Sequence, residues 1–118
     1  MSLITSAQRQ QLLANGRATA AATLQDRSID HTPVVKLFTP VSNATWLLTE
    51  IDPDDADRAF GLCDLGLGCP ELGYVSLAEL TFVRGRLGPL VERDMYFDAD
   101  KSISAYAAEA RAHGGIVT

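Results

Sequence analysis

Carboxylates are the one chemical group that this 118-residue sequence gathers densely: Glu50, Asp52, Asp54, Asp55, Asp57, Asp64 and Glu71 all fall in its central stretch. Such groups bind divalent cations or work as an acid and base pair across a substrate. Spacing decides whether they can do either. Residues 45–65 read as a hairpin, and with its end at Asp54-Asp55-Ala56 the register sets Glu50 opposite Phe60, Leu48 opposite Leu62 and Trp46 opposite Asp64. Glu50 and Asp64 then share a face but lie about 13 Å apart along the strands, too far for one proton or one metal ion. The Asp52–Asp57 run also lacks the calcium-loop pattern, in which alternate Asp/Asn ligands precede a glycine and a distal Glu. It reads as a solvated acidic turn, with no metal and no cofactor expected.

Asp64 ends an otherwise apolar run, Phe60-Gly61-Leu62-Cys63, and precedes a glycine-punctuated loop. The favoured expectation is that its carboxylate accepts from the backbone N–H groups of Gly66–Gly68. The alternative is a ligand-facing carboxylate, in a small-molecule site with Glu71, Tyr74 and the Gly66–Gly73 loop. That loop is no phosphate cradle, because it has neither a Gly-Lys-Ser/Thr nor a dinucleotide glycine register. Cys63 and Cys69 lack zinc-site spacing, and His31 and His113 are remote in sequence. Cys63 reads as a small buried residue and Cys69 as the more reactive loop thiol. Ser76 is outside any nucleophile-elbow pattern and, with Glu79, reads as a helix cap.

The elements that must position these groups follow from periodicity and turn chemistry. Thr5 and Gln8 form a capping box for a first helix over Ser6–Asn15, with a turn or two more towards Leu24. Strands are expected at Val34–Phe38, Thr45–Ile51 and Arg58–Leu65, with a short extended piece at Tyr74-Val75. A short helix follows from Ser76 through Leu77, Leu80, Phe82 and Val83, stopped by Gly85. Val91–Phe97 reads as a further strand. Ser102 or Ser104 caps a last helix over Ile103–Ala112, closed by Gly114-Gly115. Short connections between strands favour antiparallel pairing. The expected fold is α+β: a curved, mainly antiparallel sheet of four to five strands with two or three helices on one face. Val35, Leu37, Trp46, Leu48, Phe60, Leu62, Leu77 and Leu80 are its expected core, and Phe38 and Tyr74 read as core aromatics.

The length suits one domain, and 47% hydrophobic with 21% charged residues is ordinary globular composition. Charge is uneven: residues 1–49 balance to +2, residues 50–100 to −8 and the remainder to +1. Acid concentrated mid-chain disfavours direct nucleic-acid binding, which needs clustered Lys and Arg. The opening residues lack a signal-peptide pattern, and no apolar run reaches the roughly 20 residues of a membrane span. Cytoplasmic residence with reduced thiols is the expectation.

The run from Phe60 to Gly68, continued by Pro70 to Leu80, carries a family resemblance, supported upstream by Val35-Lys36-Leu37-Phe38-Thr39-Pro40 and Trp46-Leu47-Leu48-Thr49-Glu50. In these residues the chain resembles the bacterial domain-of-unknown-function 2958 family, over nearly its whole length. The resemblance implies a domain of similar size, often carried on plasmids and other mobile elements and sometimes near antirestriction genes. It implies no catalytic residue, substrate or cofactor. The favoured function is accordingly a non-catalytic accessory protein of a plasmid or mobile element. It would bind a macromolecular partner, a protein, through Asp52, Asp54, Asp55 and Asp57, in host-interaction or antirestriction-type roles. The alternative is a small enzyme or ligand-binding domain around Asp64, Glu71 and Tyr74. A monomer or small homo-oligomer suits either.

Overall fold

Thr5 and Gln8 close the capping box that their spacing predicts. The Thr5 hydroxyl oxygen accepts from the Gln8 N–H at 3.1 Å, and the Gln8 side chain accepts from the Thr5 N–H at 3.0 Å. The computed structural model describes residues 3–40, 42–82, 84–85, 88–89 and 91–118, and in it helix α1 (Ser6–Thr23) starts from this cap. The helix continues through Asn15-Gly16, where the sequence reading placed its main stop. Gly16 is buried, and a β-carbon on it would stand 1.8 Å from the Ile51 carbonyl oxygen. This glycine lets a helix lie directly on a strand.

The elements after α1 are β1 (Val35–Phe38), β2 (Thr45–Asp52), β3 (Asp55–Asp64), β4 (Glu71–Ser76), α2 (Leu77–Phe82), β5 (Arg84–Gly85), β6 (Gly88–Pro89), β7 (Glu92–Arg93) and α3 (Ile103–His113). Five strands form one open antiparallel sheet in the order β4-β3-β2-β1-β7, and β5 pairs with β6 apart from it. The class is the expected α+β. β4 is longer than the extended piece foreseen at Tyr74-Val75, because Glu71–Gly73 also pair with β3. β7 is shorter than the strand foreseen over Val91–Phe97: Asp94 Oδ1 accepts from the Tyr96 N–H at 2.9 Å, and this local turn ends the pairing. α2 ends at Phe82, before Gly85. Val83, expected on its apolar side, lies outside the described residues.

Two irregularities interrupt the pairing of β2 with β3. A tight turn at Pro53-Asp54 pairs Asp52 with Asp55, and Ala56, Asp57 and Arg58 then bulge out before Ile51 meets Ala59. Glu50 therefore faces Phe60, as expected. Thr49 is the second irregularity. Being unpaired, it slips the rest by one residue, so Leu48 meets Gly61, Leu47 meets Leu62, Trp46 meets Cys63 and Thr45 meets Asp64. The expected pairs Leu48–Leu62 and Trp46–Asp64 are thus absent, because one extra residue in β2 exchanges the sides. The slip is anchored on α1, whose Asn15 side chain donates to the Thr49 carbonyl at 2.9 Å.

Successive strand residues face opposite sides, and here both sides are buried. Trp46 and Leu48 pack with Leu12 of α1, Val35, Leu37, Leu77 and Leu80. Leu47 and Leu62 pack with Ile103, Tyr106, Ala107 and Ala110 of α3. The helices therefore do not all lie on one face, as the sequence reading had them; α1 and α2 take one side and α3 the other. The segment between α1 and β1 ties the two: the Ile103 N–H donates to the His31 carbonyl, and Asp30 accepts from the N–H and hydroxyl of Ser104. Of the expected core, Phe38 and Phe60 are only half-buried, and Tyr74 is exposed.

Candidate functional site

The bulge at Ala56-Asp57-Arg58 carries β3 away from β2 and towards β4, where Arg58 pairs with Ser76. Asp57 thereby reaches the start of α2. Its carboxylate accepts from the Ser76 hydroxyl at 2.5 Å and from the Ala78 N–H at 2.7 Å. Ser76 in turn accepts from the Glu79 N–H at 3.1 Å, as the capping reading required. The Ser76 hydroxyl, then the Ala78 N–H, hold the Asp57 carboxyl below its ordinary range. Asp57 is therefore a helix cap, and the expectation of a purely solvated turn is corrected at this residue.

Asp52, Asp54 and Asp55 form the tip. Asp52 accepts from the Asp54 N–H at 2.8 Å, and Asp55 accepts from the Asp57 N–H at 3.1 Å, which shapes the turn. Among the described residues no cationic side chain pairs with these three. Beside the tip lies a groove of about 490 Å³, lined by Trp46, Leu65, Tyr74 and Leu80 on its apolar part and by the acids Asp55, Asp57 and Glu79. Tyr74 is 55% exposed yet held from two directions. The Arg58 guanidinium lies 3.9 Å from its ring centroid, and Phe60 meets it edge-on at 5.1 Å.

Asp64 is 5% exposed, and both its oxygens are engaged: Gly66 N–H donates to Oδ1 and Ile116 N–H to Oδ2, each at 2.9 Å. It holds the start of the glycine loop, as expected, and also the segment after α3, which sequence alone did not suggest. Glu71 and Tyr74 are exposed on β4, where Glu71 faces Cys63 and Tyr74 faces Phe60. Phe60 and Asp64 are four positions apart along β3, so the fold does not gather Asp64 and Tyr74 around one point. Burial, helped by the nearby Glu71 charge, pushes the Cys63 thiol up to about 11. Cys69 is exposed. Among the described residues no three His, Cys, Asp or Glu side chains are placed to hold one metal ion, and no helix is long and apolar enough to cross a membrane.

Two other clusters escaped the sequence reading. The Thr19 hydroxyl lies 2.8 Å from His31 Nε2 and donates to Glu50 Oε1 at 3.0 Å, joining α1 to the sheet. Lys36 and Lys101 border a hollow of about 340 Å³, but their charges are answered locally by Asp94 at 3.4 Å and Glu109 at 3.0 Å. Arg58 was also missed. Its position over Tyr74 arises from the pairing of β3 with β4, which no local motif announces.

The family described as "Protein of unknown function (DUF2958)" matches residues 3–117. The chain belongs to this family. Nearly its whole length is covered, including the acidic tip, the groove and Asp64. No curated protein and no solved structure matches the chain.

Proposed function

We propose that this family member is a non-catalytic binding protein, whose macromolecular partner, a protein, docks on the acidic tip of the β2–β3 hairpin and the groove beside it. One observation carries the proposal: Asp52, Asp54 and Asp55 have no cation paired with them among the described residues, and Asp55 lines the same groove as the exposed Leu65 and Tyr74. Carboxylates so placed attract a basic surface from a distance, while an apolar groove retains it. Asp57 contributes mainly by fixing the start of α2 beside the groove.

Less supports a small enzyme or ligand-binding domain around Asp64, Glu71 and Tyr74, since Asp64 is buried with both oxygens taken by backbone N–H groups. The proposal takes the cytoplasm as its compartment, where Cys63 and Cys69 remain thiols. The plasmid and mobile-element setting implied by the family resemblance gives it a host-interaction or antirestriction-type role.

The test is paired affinity capture from bacterial lysate with the wild type and with Asp52→Asn/Asp54→Asn/Asp55→Asn, followed by association kinetics of the retained protein at several salt concentrations. The triple variant should associate more slowly and with a flatter salt dependence. Equal capture and equal kinetics would overturn the proposal.

A further inference from the structure

β4 is one edge of the main sheet, and among the described residues no strand pairs with its outer side. An edge strand offers alternate backbone N–H and C=O groups to any extended chain, so edges are commonly shortened, covered, or guarded by Lys or Pro. The opposite edge is guarded by brevity, since β7 spans two residues. β4 spans six residues, Glu71-Leu72-Gly73-Tyr74-Val75-Ser76, with neither Lys nor Pro among them. Leu72 and Tyr74 are both exposed and, two residues apart, share one side. Leu65 and Leu67, 60% and 79% exposed, extend the apolar surface at the loop that leads into β4. Tyr74 is held in place by Arg58 and Phe60 before any partner arrives, which lowers the ordering cost of binding.

Charge selects the occupant. Glu71 stands at one end of the edge, and Asp55 and Glu79 line the groove at the other, where Ser76 ends β4. Among the described residues Arg58 is the one cation in that lining, and it is stacked on Tyr74. Pairing β4 with β4 of a second copy, antiparallel, would bring Glu71 of each towards the Asp55 and Glu79 end of the other, setting like charges together. We infer that the β4 edge accepts an extended segment of another protein, basic on one side and apolar on the other, as a sixth strand of the sheet. Main-chain hydrogen bonds would supply much of the affinity, with Leu72 and Tyr74 taking apolar side chains and Glu71, Asp55 and Glu79 taking basic ones. This deepens the proposed partner reading and rests on it for the sign of the charge only.

The probe is a capped hexapeptide, Lys-Val-Arg-Ile-Lys-Val, added to the intact chain. Controls are the same peptide N-methylated at one or the other set of alternate amides, and Glu-Val-Glu-Ile-Glu-Val. Amide hydrogen exchange followed by NMR reports on each strand. The basic peptide should slow exchange in Glu71–Ser76 by about tenfold or more. N-methylation of one alternate set should abolish this, and Leu72→Lys/Tyr74→Lys should weaken binding by about tenfold. Protection confined to the hairpin tip, or indifference to both methylated peptides, would overturn the edge inference while leaving the acidic-face reading standing. Equal protection by the acidic peptide would overturn the assigned partner chemistry and that reading together. Protection of β4 that grows with protein concentration in the absence of peptide would make a second copy the occupant, and so overturn the inference.

Discussion

Gly16 of α1 lies so close to Ile51 of β2 that a β-carbon on the glycine would stand 1.8 Å from the Ile51 carbonyl oxygen. One residue earlier, Asn15 donates to the carbonyl of Thr49, the unpaired residue of the β2 bulge. Helix and bulge are therefore one joint. Gly16→Ala should force the helix off the strand and destabilise the fold by about 2–4 kcal/mol, even though alanine is the better helix former. Asn15→Ala, which removes the hydrogen bond donated to Thr49 and the exposed one accepted from Gln11, should cost about 1–2 kcal/mol. Urea midpoints of the two variants check both, and a Gly16→Ala protein as stable as the wild type would contradict the close approach.

Asp64→Asn replaces a buried double acceptor with a group that has one acceptor and one donor. Facing the N–H groups of Gly66 and Ile116, the amide can satisfy only one of them. The loss should be about 1–3 kcal/mol, with faster amide exchange at residues 115–118 than in the body of the sheet. Equilibrium unfolding and hydrogen exchange measure the two effects.

Asp57 should make stability depend on acid. Its folded carboxyl titrates below the ordinary value of 3.8, so its contribution is fully present above that pH and is lost as pH falls through the lower, folded value. Asp57→Ala should therefore be less stable than wild type at neutral pH, and the gap should close as pH drops below 3.8. Thermal unfolding across that range compares them.

The two thiols should differ in reactivity at neutral pH. Cys69 is exposed and should react first with an alkylating reagent, whereas Cys63, half-buried and pushed up to about 11, offers almost no thiolate. Mass spectrometry during labelling should show one adduct forming fast and a second appearing only on unfolding.

Segments whose contacts are local were legible in the amino-acid order. Thr5 with Gln8, Ser76 with Glu79, Ser102 and Gly114 cap or close helices through groups a few residues away. The apolar runs of β1, β2 and β3 announced themselves by residue type, so the class of fold and most of the core followed. The candidate site was legible only as composition, a dense acidic stretch between two strands. Its geometry depends on partners far along the chain. Asn15 meets Thr49 from 34 residues away and fixes where the bulge falls; Asp57 finds Ser76 across 19 residues; Ile116 reaches Asp64 across 52. A period-two strand pattern is indifferent to a one-residue slip, so it could not say which leucine faces which helix. Tyr74 carries the same lesson: its type suggests burial, and only its position on the sheet's edge leaves it facing solvent. Local propensity and apolar patterning thus determined which elements form. Long-range packing alone decided their faces, their register and the surface they leave open, because those depend on contacts that no short window of sequence contains.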